Sequence, residues 1–407
     1  MEKKSSFNAF RVLLLSVFMA MIGLGIISPI IPNYASDLGA TGIYIGLIYS
    51  SFSLSRAILQ TPVGKLADSF SKKKIIIAGL ALYAAVSIAY TYVNSPQTLI
   101  LVRLFHGVGS SMMMPVAMAY GINLTPSGEE GKYIGYMNTA LFTGFGAGPF
   151  IGGYIYENYS IRVVFNTMTV MIAISLILTQ LFVPDEETLG INKKRTSVPL
   201  KKIISNNTLL AVLVYRMVNA LGRGTVMSFL PLFAVQMLGL SGTSIGVVLS
   251  VGIFLNAFFQ TPMGILADRY NRNLLLIGGG IIASAGYIYM VQTSTLAQIF
   301  IARIIVSIGG AISLPAVTAI IAEEGREFGT GMTVGVFNTA MSVGQIIGPV
   351  FSGFLLDLYG MSSVFYFSGF ISFISVIAFW MLSRKRNKPD SGTEKPMRPW
   401  FDKFYYV

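Results

Sequence analysis

The sequence predicts an all-α polytopic membrane protein of twelve transmembrane helices, built as two parallel six-helix repeats. Three observations carry this expectation. Of 407 residues, 54% are hydrophobic and 11% charged, against about 25% charged in an average soluble protein, so polar surface is too scarce to cover soluble domains of this length. The apolar residues arrive in stretches of about 20 or more, the length that crosses a hydrocarbon core. The chain also repeats itself at an offset of 200 residues: positions 46–160 and 246–360, aligned without a gap, share 28 identities in 115.

Apolar runs between charge and turn clusters place the spans at 11–33, 42–63, 73–93, 98–122, 131–157, 161–183, 208–236, 243–264, 272–292, 296–321, 330–356 and 362–383. The first run follows Lys3, Lys4 and Arg11 like a signal peptide. It is too long for one and ends in Pro29 and Pro32 without a small-residue cleavage site, so it reads as span one. The organisation is an N-terminal half (1–183), a polar linker (184–207), a C-terminal half (208–383) and a basic, aromatic tail (384–407). With span one starting inside, 23 of the 29 Lys and Arg fall on the inner side, only Arg162 falls outside, and five arginines lie within spans. The positive-inside rule therefore places both termini in the cytoplasm of a multi-pass plasma-membrane protein. An even number of spans per repeat keeps the two halves in one orientation, related by an axis along the membrane normal.

The net charge of +12 suggests a nucleic-acid partner only until its distribution is considered: the cations sit in short loops and form no stripe. The chain has no cysteine, which removes disulfides and thiolate chemistry. No phosphate-binding loop, metal cluster or nucleophile triad is present in the sequence, so neither an enzyme, a cofactor nor a metal is expected. A monomer is expected.

The repeat identities cluster. Gln60-Thr61-Pro62, Gly64 and Leu66-Ala67-Asp68 recur as Gln260-Thr261-Pro262, Gly264 and Leu266-Ala267-Asp268. Further along, Arg103, Pro115, Asn138-Thr139-Ala140 and Gly148-Pro149 recur as Arg303, Pro315, Asn338-Thr339-Ala340 and Gly348-Pro349. The stretch from Gly64 through Asp68 to Lys72 and Lys73 is similar to the G-x-L-a-D-r-x-G-r-k loop after span two of the major facilitator superfamily, and the chain resembles that family over essentially its full length. Departures fall at Ser69 and Ser71, and in the second copy at Asn271 and Asn273. Asn tolerates the left-handed geometry of a tight turn better than Ser does. The resemblance implies a cytoplasmic latch made by Gly64, Asp68, Lys72 and Lys73 and by Gly264, Asp268, Arg269 and Arg272, in which each carboxylate accepts hydrogen bonds from a helix N-terminus and a cation. The alternative is a solvated turn with surface ion pairs of about 0–1 kcal/mol.

In span five, Gly144, Gly148 and Gly152 lie four apart, with Pro149 and Gly153 among them, a pattern that lets two helix backbones approach closely. The run from Gly144 to Gly153 also resembles the motif of the drug:proton antiporter branch, which implies efflux. Arg103, His106 and Gly107 in span four resemble the family's R-x-x-q-G, with His in place of Gln.

A charge inside a span is expensive unless it faces water or a partner, which makes Arg56, Arg103, Arg216, Arg223 and Arg303 functional candidates. Arg56 lies 12 residues before Asp68, roughly 18 Å up a helix and near the bilayer middle. Arg216, Asn219 and Arg223 form one stripe on span seven, and Asn338 with Gln345 forms another on span eleven. With Asn138, His106 and Met113, the last from an adaptable Met112-Met113-Met114 run, the expected substrate cavity is Arg56, Arg103, His106, Met113, Asn138, Asn219, Arg223, Asn338 and Gln345. All seventeen acidic residues fall at helix ends, in loops or in the tails. The proton carriers that remain are Asp37 at the outer mouth, Asp68, and His106, the single histidine and a group with an ordinary pKa near 6.5.

The expected function is secondary active transport by alternating access, with proton-coupled efflux of small molecules or drugs as the first reading. The partners are a small-molecule substrate, protons as coupling ion and membrane lipids. Five arginines without an intramembrane acid motivate the second reading, an organic-anion exchanger or anionic-lipid flippase. A non-transporting sensor on the same scaffold is the third.

Overall fold

The computed structural model of the protein describes residues 2–126, 129–185, 207–328 and 330–384. Most of the expected linker and tail lies outside them. The helices are α1 (Glu2–Ile26), α2 (Ile31–Asp37), α3 (Gly42–Ser69), α4 (Lys72–Ala89), α5 (Pro96–Asn123), α6 (Glu130–Asn158), α7 (Ile161–Phe182), α8 (Asn207–Leu238), α9 (Gly242–Arg269), α10 (Arg272–Val291), α11 (Leu296–Phe328), α12 (Thr330–Tyr359) and α13 (Met361–Arg384). With α1 and α2 counted as one, eleven are long and apolar enough to cross a membrane. The glycine-rich α6 is the twelfth span, since it begins 200 residues before α12 and holds the same place in its repeat.

Two features depart from the expected spans. Pro29 and Pro32 break span one: α1 stops at Ile26 and α2 restarts with Pro32 in its first turn, where a missing N–H leaves no helical bond unmade. At the other end of the bundle, α3 and α9 continue past positions 63 and 264 to Ser69 and Arg269, so Gly64–Asp68 and Gly264–Asp268 are helix and not loop. The turns that follow need no left-handed residue. Ser71 and Asn271 have φ of −60° and −64° and act as N-caps, Ser71 accepting from the Lys74 N–H at 3.4 Å and Asn271 from the Asn273 N–H at 3.0 Å. Positive φ occurs instead at Gly39 (80°) and Gly239 (60°), which terminate α2 and α8 in equivalent positions.

Each half repeats one packing scheme. In the first, α1 packs on α6 and α7, α3 on α5, and α4 on α5 and α7; in the second, α8 packs on α12 and α13, α9 on α11, and α10 on α11 and α13. The halves meet along α3–α12 and α6–α9. Glycine places the backbones in contact at both kinds of seam. On one face of α6, Gly144, Gly148 and Gly152 lie against Phe18, Gly25 and Ile26 of α1; on another, Gly153 lies against Gly242 of α9. In α12, Gly344 and Gly348 lie against Met217 and Leu221 of α8, and Gly353 against Gly42 of α3. Ser352 stands where the first repeat has Gly152, and its hydroxyl is 2.8 Å from that of Thr225, a polar interhelical contact in place of a backbone one.

The seams between halves run through the ends at which α3 and α9 begin: Gly42 with Gly353, Gly46 with Pro349, Gly153 with Gly242, Gly246 with Pro149. At the opposite end a Cβ added to Gly64, Gly135, Gly264 or Gly335 would meet nothing within 4 Å, and Thr61, Pro62, Thr261 and Pro262 are exposed. The molecule is closed at one end and open at the other.

The seams set a stability prediction. Gly152→Ala would push a methyl onto the Ile26 carbonyl, and we expect a loss of about 1–3 kcal/mol, the range for overpacking, read as a lower midpoint of thermal unfolding in detergent. Gly64→Ala, with open space around it, should leave the midpoint unchanged or raise it, because Ala is the better helix former.

Candidate functional site

A cavity of about 380 Å³ lies between the halves, lined by residues of both. Most of its wall is apolar, including Met21, Phe145 and Met227, and four guanidinium groups enter it: Arg56, Arg103, Arg223 and Arg303. Tyr287, Asn256, Gln260 and Gln345 add neutral polar groups, and among the described residues no carboxylate lines it.

Arg103, Arg303 and Arg223 are held differently. Arg103 donates from Nε to the Ile48 carbonyl at 3.3 Å, and its guanidinium lies over the rings of Tyr49 and Phe52, 5.2 and 4.6 Å from their centroids. Its charge is absorbed by the first half's own groups. Arg303, its equivalent in the second repeat, is 6% exposed and packs directly against Gly252, with its Nε unpaired. Arg223 on α8 has unpaired Nε and Nη2. Arg216, one turn-pair away, leaves the cavity wall: it stacks on Phe337 at 4.5 Å, with Nη2 2.8 Å from the Met341 sulfur.

Of the cavity residues expected from sequence, Arg56, Arg103, Arg223 and Gln345 line it. His106 and Met113 do not; both are fully buried. His106 accepts or donates at Nδ1 with the Tyr90 hydroxyl at 2.9 Å and is enclosed by the rings of Phe52, Tyr83 and Tyr90. Three residues separate it from Arg103, but the α5 face turns enough to put the imidazole in the first half's core. Of the consecutive methionines, Met114 faces the cavity and Met113 the core, as the 100° step of a helix requires. Asn138, Asn219 and Asn338 are half-buried outside the lining. Tyr287 and Gly252 were missed, though Gly252 is the repeat partner of Phe52.

At the open end, Asp268 pairs with Arg272 on its own turn at 3.9 Å and is 74% exposed, an interaction of about 0–1 kcal/mol. The backbone of Asp68 ends α3; its side chain lies outside the described residues. Lys72 is buried and Lys73 half-buried at the start of α4. Asp37 is exposed at the closed end.

Two carboxylates bridge the halves at that closed end. Asp357, ending α12, accepts from the Gly42 N–H at 2.6 Å and the Ile43 N–H at 2.9 Å. Glu157, ending α6, accepts from the Thr243 N–H at 2.9 Å. The residues are 200 apart, and so are the helix starts they cap. Negative charge at a helix N-terminus is favourable, so each half ties down the other.

His106 generates a prediction here. With its ring shielded and its partner a neutral phenol, His106→Gln should retain substrate binding while lowering stability by about 0.5–1.5 kcal/mol for the altered buried hydrogen bond, measured by thermal unfolding and ligand titration on one preparation.

Comparison with known proteins agrees with this architecture. An uncharacterized MFS-type transporter of Methanocaldococcus jannaschii is 30% identical, covering 93% of this chain and 98% of its own length. The quinolone resistance protein NorA of Staphylococcus aureus is 28% identical, covering 86% of this chain and 90% of its own. A bacterial homologue of the human lysosomal transporter Spinster, in an inward-facing and occupied conformation, superposes with a TM-score of 0.79 at 17% identity, over 92% of this chain and 96% of that one. The Major Facilitator Superfamily model matches residues 13–218 and again 212–405, one match for each six-helix half, and the chain belongs to that superfamily.

Proposed function

We propose that the protein is a secondary active exporter of small amphipathic organic molecules, working by alternating access in the plasma membrane with both termini in the cytoplasm. The observation that carries this is the cavity between the two repeats, mostly apolar, in a molecule closed at one end by glycine seams and open at the other. The open end bears the cationic loops, so it faces the cytoplasm by the positive-inside rule, and the conformation is the one that loads substrate for export. The 28% identity to a quinolone resistance protein supports efflux of organic compounds. Rocking one half against the other about the cavity opens the outer seam and brings the Gly64–Asp68 and Gly264–Asp268 ends together, where the carboxylates act as the cytoplasmic latch of the second state.

Energised, everted membrane vesicles should accumulate fluorescent amphipathic dyes in a chain-dependent manner, and purified protein in liposomes should respond to an imposed pH gradient. Dye binding without accumulation under any ion gradient would contradict the exporter reading. If protons drive export, Asp37→Asn at the exposed outer end should flatten the pH dependence of transport, whereas His106→Gln should not change it.

The outer caps yield a second expectation. Asp357→Asn with Glu157→Gln removes two exposed charge-to-helix contacts of about 1 kcal/mol each, so each single change should raise the outward-open population roughly five-fold, seen as faster labelling of a cysteine placed at the outer mouth.

A further inference from the structure

The two halves of the cavity come from one duplicated sequence but treat their shared arginine in opposite ways. In the first half Phe52 and Tyr49 cover Arg103, and the Ile48 carbonyl takes its Nε proton. In the second half, the position equivalent to Phe52 is Gly252. A Cβ there would collide with the Arg303 guanidinium itself, so the glycine is what leaves room for it. Arg303 is more than nine-tenths buried and faces the cavity with its Nε unpaired. Arg223 stands within electrostatic range of it, with two unpaired nitrogens, and Tyr287 is within range of both. Among the described residues no acid lines the same space. Two desolvated guanidinium groups with spare donors and no counter-ion cost several kcal/mol unless an anion or water completes them, and planar guanidinium forks match a carboxylate, sulfonate or phosphate oxygen pair.

We propose that Arg303 and Arg223 form an anion-binding subsite, opened by Gly252, which selects substrates carrying one acidic group on an apolar body. The proposal rests on the transporter reading of the cavity and names its substrate class. The apolar body lies against the methionine and phenylalanine wall, while the acidic group meets the arginine pair. Arg103 also lines the cavity, but its guanidinium is already engaged by the Ile48 carbonyl and the Tyr49 and Phe52 rings, so it contributes mainly field. Soluble organic acids and acidic lipid headgroups share this chemistry.

The test uses the purified full-length chain in neutral phosphatidylcholine nanodiscs and three matched probes: naphthalene-2-sulfonate, 2-naphthalenemethanol and 2-naphthylmethylammonium. Calorimetric titration should show the sulfonate binding more tightly than the other two and weakening with salt. Arg303→Gln and Arg223→Gln should each weaken it at least ten-fold while leaving the alcohol unchanged. Gly252→Phe, whose Cβ meets the movable end of Arg303, should do the same; Arg103→Gln should weaken the sulfonate less than three-fold. Retained alcohol binding shows that each variant is folded. Discs containing phosphatidylglycerol distinguish the sources: competition with the sulfonate identifies a lipid headgroup as an occupant of the subsite, and unchanged affinity identifies soluble acids. Sulfonate affinity unaltered in Arg303→Gln and Gly252→Phe, or equal losses for alcohol and sulfonate, would overturn the anion subsite while leaving the exporter reading standing. If the alcohol and ammonium probes also fail to bind the wild type, the exporter reading of the cavity falls with it.

Discussion

Everything in this molecule depends on how closely two pairs of helices approach across the central axis. In lipid, apolar side chains gain little by leaving one hydrocarbon environment for another, so helix association relies on close van der Waals packing and on polar contacts. The α3–α12 and α6–α9 seams meet that requirement with glycine against backbone at Gly42, Gly46, Gly153 and Gly353, and with carboxylate caps at Asp357 and Glu157. Because these features occupy one end of the bundle, the halves diverge toward the other. The cavity is the consequence of that divergence. Within each half glycine does the same: α6 glycines hold α1 in the first and α12 glycines hold α8 in the second.

Duplication gives the halves the same skeleton and leaves their cavity faces free to differ. Phe52 and Gly252 differ by one benzyl group, and at equal burial Arg103 has an aromatic face over its guanidinium where Arg303 packs on a glycine and keeps an unpaired Nε. Arg56 on one side corresponds to Asn256 on the other. The cavity is thus strongly electropositive, and among the described residues the lining guanidinium nitrogens that lack a partner belong to the second half. Low-dielectric walls focus such a field, which is the physical basis of the proposed anion subsite.

Much of this was legible from residues alone. Spans and repeat emerge from apolar runs and an ungapped 200-residue offset, because crossing a bilayer demands length and apolarity at every pass. The true ends of α3 and α9 were not legible: hydropathy falls where the helix leaves the lipid, but the hydrogen-bond ladder continues through Gly64–Asp68 into water. Nor was the rotational phase of α5, which separates Met114 from Met113 and places His106 among Tyr83, Tyr90 and Phe52, since three residues of spacing allow either face. Asp357 reads as an ordinary helix-end acid because the N–H it caps lies 315 residues away in sequence. Gly252 is silent for a different reason: its contribution is the absence of a side chain, and only comparison with Phe52 at the equivalent position reveals it.

In the proposed cycle two rigid halves exchange one closed end for the other around the arginine-lined cavity. The chain has no cysteine, so paired spin labels can be introduced at Tyr159 and Tyr359, exposed at the closed end, and at Phe70 and Tyr270, exposed at the open end. Pulsed electron–electron distance measurements in nanodiscs should give a single short distribution for the 159–359 pair and a longer one for 70–270 without substrate. On addition of a transported compound, a second population should appear in which the first distance lengthens and the second shortens in equal proportion. Distances that stay fixed under every ligand and gradient, or that lengthen together, would contradict the account.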